Sequence, residues 1–428
     1  MSTTVMEPVV ATETRSAWKA GAFTASLAVL LGLVSGLACV GVRLGFRMLQ
    51  WVFVQHTGLL PDAAARLGSF HRVLVPVAGA LLATAVLFTA RRWSRAEPFS
   101  EYVEAVRFDE GHIPFASTAW RTASSAFSVA SGAAVGREGS MIQFATAVTS
   151  WCGSRLGGRE VSLARKVSYG AAAAVAAAYQ APLAGVFFAF EIVLGEWQWT
   201  EILPLLLASF SGWLISRTLL GGGPLFAIAG NLSMAGLLWT LPLALLLGGL
   251  GPAYQGLLRS FTFLKRLPVP LLWGALAVGL LSIVHPAVWG NGDVALLRTL
   301  QDAPLVSSVL VILIFRLVAT TACVGAGTVG GVFTPTLFVG AALGLLAGSL
   351  LHVSQPVLLA TVGMSAFLAG VTHAPWMAAF MAAELTGQWH LLPVFLVLNL
   401  LAKTVAGRIS PRSLYAIATP APTGAPNQ

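Results

Sequence analysis

Residues 136–140 read Gly-Arg-Glu-Gly-Ser, inside the stretch AAVGREGSMIQF. Arg137 and Glu138 are ionisable neighbours in a run of small and apolar residues, and the next charges on either side are Arg121 and Arg155. A second glycine-rich break, GGVFTP, occupies residues 330–335. The chemistry that suits both is anion binding by backbone. A helix that begins at such a break leaves about four N–H groups without intrahelical partners and carries roughly half a positive charge there. Both features favour an anion. Glycines let the backbone approach a ligand and adopt positive φ, which makes Gly136, Arg137 and Gly139 candidates for one wall of such a site. A site built from amides, without a full cationic side chain, also holds an anion loosely enough for release. Glu138 then has a role as a tethered competitor: the N–H groups that bind a free anion also stabilise its carboxylate, which leaves when protonated or displaced. This predicts a gate sensitive to pH and to anion concentration. The other reading is a plain helix cap in which Glu138 pairs with Arg137.

The elements that carry these breaks lie in a membrane. The chain has 428 residues, of which 57% are hydrophobic and 10% charged. Soluble domains carry about 25% charged residues, so too few are present here to cover a water-facing surface. Roughly ten apolar runs approach the span of about 17–25 residues that a crossing helix needs, among them Phe23 to Val42, Val73 to Ala90, Leu237 to Leu258 and Val306 to Cys323. They are too long, and alternate too little, for barrel strands. The expected class is an all-α membrane protein, a polytopic bundle. An ionisable residue at mid-membrane costs about 2.5–3.5 kcal/mol on insertion scales and is functional by default.

The formal net charge of +9 does not point to nucleic acid, because the basic residues sit in short connectors such as Arg91-Arg92-Trp93-Ser94-Arg95 and Lys265-Arg266. Such connectors suit loops beside anionic lipid. Cys39, Cys152 and Cys323 are far apart and form no CxxC pair, so neither a metal site nor a disulfide framework is indicated. His112 and His373 are isolated, with no ligand-spaced partners. Residues 1–19 are polar and lack the pattern of a cleavable signal peptide. The tail, 417–428, is too short for a regulatory domain.

The breaks come in pairs. Residues 170–191 read GAAAAVAAAYQAPLAGVFFAFE and residues 363–384 read GMSAFLAGVTHAPWMAAFMAAE. In both, a Gly is followed twelve residues later by the Pro of an Ala-Pro and nine residues after that by a Glu, at a constant offset of 193. GREGS matches GVFTP at an offset of 195. Two membrane repeats follow, 20–222 and 225–416. Interrupted helices at matching places in two halves point to a mid-membrane binding site.

These residues together resemble the CLC family of chloride channels and chloride/proton antiporters. The resemblance covers residues 20–416 and is carried by GREG (136–139), APLAG (181–185), GGVFTP (330–335) and the Leu-Tyr of SLYAIA (413–418). It implies that Glu138 is the gating glutamate, that Val332 and Phe333 offer backbone amides, and that the Tyr415 hydroxyl contacts a central anion. It further implies tilted and broken helices in two inverted repeats, and a homodimer with a pore in each subunit. No cofactor is implied: chloride, or another small anion, is the transported ligand, the lipid bilayer is the surrounding, and the cell membrane is the location (the inner membrane in a Gram-negative bacterium).

Two departures from the family pattern carry information. The usual Gly-Ser-Gly-Ile-Pro motif is absent; Ala96-Glu97-Pro98-Phe99-Ser100 stands in its place. Glu97 falls on the serine position. Either it points to solvent, or Ser100 supplies a hydroxyl after a local shift, or the contact is lost. Pro98 and Ser100 still suit a helix start. The second departure concerns protons. Antiporters of the family carry a Glu-Glu pair after APLAG, and here Glu191 is followed by Ile192. An aliphatic side chain cannot relay a proton, which favours passive conduction. Glu191 and its repeat partner Glu384 read as structural, capping backbone or pairing with a base. Arg137 reads as balancing Glu138 or pairing elsewhere. GxxxG spacings at Gly32/Gly36 and Gly340/Gly344/Gly348 suit close helix packing, within or between subunits. The leading expectation is an anion channel, with a proton-coupled antiporter and a fluoride carrier as rivals. An intramembrane hydrolase would need a nucleophile with its base or a metal motif such as HExxH, and neither occurs, so the chain is not read as an enzyme.

Overall fold

The structure, a computed structural model, describes residues 9–93, 99–156, 161–230, 234–301 and 305–415. The position aligned with the family serine, Glu97, and the tail from 417 onward lie outside them, as do residues 1–8 of the N-terminal segment. The described residues form seventeen α-helices. In the first half these are α1 (Val9–Val54), α2 (Leu60–Arg66), α3 (Ser69–Trp93), α4 (Tyr102–Phe108), α5 (Phe115–Ala130), α6 (Arg137–Arg155), α7 (Leu163–Tyr179), α8 (Pro182–Phe188) and α9 (Ile202–Leu220). The second half holds α10 (Met234–Ser260), α11 (Pro270–Val284), α12 (Asp293–Gln301), α13 (Val306–Ala326), α14 (Phe333–Leu350), α15 (Pro356–Thr372), α16 (Pro375–Thr386) and α17 (Leu392–Ile409). Seven helices are long and apolar enough to cross a bilayer, and three more apolar helices are shorter. The protein is a multi-pass all-α membrane protein.

Local chemistry sets the interruptions. Proline opens α8, α11, α15 and α16, where its missing N–H costs nothing and its fixed φ suits the first turn. Residues in the left-handed conformation close the preceding helices: Gln180 at φ 57° after α7 and His373 at φ 59° after α15. These two are equivalent at the offset of 193. His373, isolated in the sequence, is thus a helix terminator in the same place as Gln180. Gly195 and Gly387 then end the short Ala-Pro helices, again with positive φ. Gly195 lies fifteen positions after Gln180, and Gly387 fourteen positions after His373. The first half takes up its extra residue as a π turn, Ala189–Leu194, that continues α8.

The two halves meet through α8 and α16. The Glu191 carboxylate accepts hydrogen bonds from the N–H groups of Trp376 (3.2 Å) and Met377 (2.8 Å) at the start of α16. The Glu384 carboxylate accepts them from Leu183 (2.9 Å) and Ala184 (2.8 Å) at the start of α8. Every partner is related by the same offset of 193, so this is one contact made twice by an approximate two-fold rotation. Phe187 and its equivalent Phe380 stack on each other with ring centroids 4.4 Å apart and an interplanar angle of 17°, which places the axis between them. Glu191 and Glu384 are backbone caps; neither forms an ion pair among the described residues.

The glycine spacings act inside the chain. A Cβ on Gly36 would lie 2.9 Å from the Cα of Gly212, and one on Gly340 would lie 2.5 Å from the Gly363 carbonyl oxygen. They seat α1 on α9 and α14 on α15. The centre of the molecule is α7, α14, α15 and α16, where almost every side chain is buried. Large apolar side chains such as Leu82, Phe88, Leu238, Leu246 and Leu310 face outward, as lipid contact requires.

Glu384→Ala leaves two buried amides of α8 without acceptors. The expected cost is about 2–4 kcal/mol, read as a lower thermal-unfolding midpoint in detergent. Glu384→Gln keeps one carbonyl acceptor and loses less. An unchanged midpoint in Glu384→Ala would show that the reciprocal caps do not stabilise the fold.

Candidate functional site

The site is assembled where α6 and α14 begin. α5 ends at Ala130, and the chain turns through Gly132 (φ 113°) before Gly136 opens α6. α13 ends at Ala326, and Gly327 (φ 83°) turns the chain toward Val332, which opens α14. The two breaks pair directly. Gly136 N–H donates to the Gly331 carbonyl at 2.6 Å, and Gly331 N–H donates to the Gly136 carbonyl at 2.7 Å, as an isolated antiparallel bridge. Gly136 and Gly331 are the first residues of the two matched motifs, so this contact too joins equivalent positions. Side chains would prevent it. A Cβ on Gly139 would lie 2.7 Å from the Cα of Gly331, and one on Gly136 would lie 3.0 Å from the Gly331 oxygen.

Two helix N-termini therefore lie side by side, each with its first N–H groups outside the intrahelical ladder. Their residues divide between two cavities. Arg137 and Glu138 of α6, with Thr334 of α14, line one cavity; Arg43, Arg47, Tyr179, Asn291 and Asp293 are also on its wall. Gly139 and Ser140 of α6, with Val332 and Phe333 of α14, line the other; Glu101, Arg121, Gln143, Tyr179, Lys265 and Tyr415 join them there. Tyr179 belongs to both walls. Its ring packs on Phe333 with centroids 5.0 Å apart, and its hydroxyl lies 3.5 Å from that of Thr334. Tyr179 thus stands between the cavities, with Glu138 on the wall of the first and Phe333 on the wall of the second.

Both cavities favour anions. The first has three cationic walls, Arg43, Arg47 and Arg137, against two carboxylates, Glu138 and Asp293. The second has Arg121 and Lys265 against Glu101. Glu138 is 7% exposed. One of its oxygens accepts from Asn291 Nδ2 at 2.8 Å and faces Arg137 Nε at 3.5 Å. The other accepts from the Thr334 hydroxyl at 3.4 Å. Arg137 divides its charge between Glu138 and Asp293, 3.6 Å away.

The remaining sequence candidates are placed as follows. Tyr415 lines the second cavity, its ring set edge-on to Phe188 at 5.9 Å. Leu414 N–H holds that segment by donating to the Val371 carbonyl at 3.0 Å. Gly136 is sealed in the bridge and lines neither cavity. Ser100 is also absent from both walls: its hydroxyl faces the Glu101 carbonyl at 3.4 Å, and its own carbonyl accepts from Gln143 at 3.0 Å. Ile192 is buried on the π turn, with its carbonyl accepting from Arg107 at 2.6 Å. Several wall residues escaped sequence reasoning, Tyr179, Asn291, Glu101 and Arg43 among them. Tyr179 is the one hydroxyl in the run AAAAVAAAYQAP, which was the available signal. Asn291 stands between two glycines in WGNGD, Glu101 directly follows Ser100, and Arg43 lies four residues before Arg47 in a mostly apolar helix; none of these announces a site by spacing alone.

Paired helix starts, a buried carboxylate on the wall of one of two cavities lined by cations, and apolar helices that face outward fit a membrane protein that moves anions. The family model for the voltage gated chloride channel matches residues 78–407, and the chain belongs to that family, the CLC proteins, which are transporters rather than enzymes and use no cofactor. It is 34% identical over 406 residues to the voltage-gated ClC-type chloride channel ClcB of Citrobacter koseri, covering 91% of this chain and 97% of that one. Identity to the ClcB channel of Shigella flexneri is also 34%, over 409 residues, with the same coverage. Among solved structures, a slow cyanobacterial Cl⁻/H⁺ antiporter superposes with a TM-score of 0.79 at 21% identity, over 92% of this chain and 96% of that one. A CLC-type fluoride/proton antiporter superposes at 0.74, also at 21% identity, over 92% and 97%. These two share the fold.

A methyl group at Gly139 must push the two breaks apart, whereas one at Gly331 meets its nearest neighbours at 3.1 Å. Gly139→Ala is therefore expected to cut anion flux into liposomes at least tenfold, and Gly331→Ala less. Wild-type flux in Gly139→Ala would show that the bridge is dispensable.

Proposed function

We propose that this protein conducts chloride across the cell membrane along a path joining the two cavities, with Glu138 as its gate. One observation carries the proposal: the Glu138 carboxylate sits at the junction of two helix starts, held by Asn291, Thr334 and Arg137, in the seat that suits a free anion. Occupied by the carboxylate, the path is closed. Protonation or an incoming anion empties the seat, and chloride then passes toward the Val332 and Phe333 amides and the Tyr415 hydroxyl. The family resemblance adds a homodimer with one path per subunit, and two halves of opposite orientation.

Passive conduction is the favoured mode. The position that would relay protons is Ile192, whose side chain is aliphatic and buried. Proton-coupled exchange is the second reading, and Glu101 favours it. This carboxylate is half-buried on the wall of the Tyr415 cavity, where it offers another source of protons for Glu138. Chloride preference over fluoride rests on the relatives' names and is part of the proposal.

The test is chloride flux into liposomes with simultaneous pH recording, on wild type and on Glu138→Gln. Conduction predicts chloride movement without uphill proton movement. A chloride gradient that drives protons uphill would replace conduction by exchange. Glu138→Gln is expected to pass chloride with a flat pH profile; an unchanged profile would remove Glu138 from the gate.

A further inference from the structure

The shortest contact to the Glu138 carboxylate comes from a residue far away in sequence, Asn291, 5% exposed in the loop before α12. The orientation of its amide is fixed by chemistry. Asn291 Oδ1 accepts from the Asp293 N–H at 3.2 Å, which leaves Nδ2 to face the carboxylate, a donor toward an acceptor. The backbone on either side is locked. Gly290 and Gly292 both have positive φ, 79° and 96°, a conformation other residues rarely adopt. Gly290 N–H donates to the carbonyl of Gly132, the turn residue ahead of the first break, at 3.1 Å. Arg316, 2% exposed on α13, donates to the carbonyls of Ala287 (2.9 Å), Val288 (3.1 Å) and Gly290 (2.9 Å). A buried guanidinium thus serves as the scaffold of this loop, and the loop presents one neutral donor to the gate.

We propose that Asn291 is a ligand of the anion seat, holding the Glu138 carboxylate when the gate is closed and a small inorganic anion when it is open. The carboxylate stands in for that anion, and its donors are the anion's donors. A neutral amide suits this double duty better than a cation: it binds a negative group without fixing it there. Charged and titratable groups facing Glu138 are Arg137 on its own helix, Arg43, Arg47 and Cys39 from α1, Asp293 at the start of α12, and Tyr179 from α7. Arg137 is shared with Asp293 at distances of 3.5 and 3.6 Å, so the Asn291 bond is the one short contact dedicated to the seat.

The gating half of this inference rests on the proposed role of Glu138; the binding half does not, and the experiment separates them. Full-length protein is compared as wild type, Asn291→Leu, Asn291→Asp and Glu138→Gln in liposomes. Asn291→Leu removes the donor at similar volume, so the seat empties at higher pH and the flux–pH midpoint rises by about one unit. Asn291→Asp keeps the shape, brings a like charge to the carboxylate, and moves the midpoint further the same way. In detergent, chloride binding by titration calorimetry is compared between Glu138→Ala and Glu138→Ala/Asn291→Leu, with the second expected to bind about tenfold more weakly. Unshifted profiles in both Asn291 variants, with a flat profile in Glu138→Gln, would overturn the latch while the Glu138 gate stands. A retained pH profile in Glu138→Gln would overturn the gate and the latch with it. Equal chloride affinity in the two Glu138→Ala proteins would overturn Asn291 as a ligand.

Discussion

Two positive helix ends lie against each other at the centre of this protein, and that is unfavourable unless something negative is close. The Gly136–Gly331 bridge brings the starts of α6 and α14 within hydrogen-bond distance. Each carries roughly half a positive charge, in surroundings where water is scarce. In the structure the compensating charge is Glu138, tied to the chain two residues from the bridge. The pairing of glycine backbones and the need for a negative group are thus one constraint seen from two sides. The wall cations Arg43, Arg47 and Arg137 raise the demand further. A site built this way calls for a negative group, and in the structure Glu138 is that group.

The same two-fold relation supports the site from one layer away. Helices that begin inside a bilayer must find acceptors for their first amides within the protein. α6 and α14 leave theirs toward the cavities. α8 and α16 satisfy theirs completely, each from the glutamate of the other. Both pairs of helices start at matching breaks, yet among the described residues only α8 and α16 have those amides bonded by a carboxylate. The difference between scaffold and site is therefore whether a carboxylate bonds the helix-start amides themselves, as Glu191 and Glu384 do, or is held by side chains beside them, as Glu138 is.

Much of this was legible in the residues because it depends on local chemistry. Ala-Pro at a constant offset marks helix starts wherever the helices go, and GREG against GVFTP marks two more. The lipid-facing class follows from composition. The structural role of Glu191 and Glu384 could be read from their matching positions, although their exchange across the two halves could not, since spacing does not say which start a carboxylate reaches. The π turn at Ala189–Leu194 was hidden for a similar reason: one extra residue shows in sequence as a change of length, with no preference for where the helix absorbs it. Asn291 was beyond reach because its importance comes from what faces it. Asn291 meets Glu138 across 153 positions of chain, and only the packing of a buried arginine against a glycine loop brings it there. Ser100 illustrates the opposite case. It has the residue type a hydroxyl ligand needs, and its side chain turns back on its own backbone.

The exchange of carboxylates between α8 and α16 also has a consequence for how the chain is made. The amides of Leu183 and Ala184 wait for an acceptor 200 and 201 residues further along. At a synthesis rate of about 5–20 residues per second, that delay is roughly 10–40 seconds. Throughout it the first half lacks the carboxylate that satisfies this helix start in the folded protein. The amino-terminal half is accordingly unfinished when it is made, and this gap closes only after Glu384 has been synthesised.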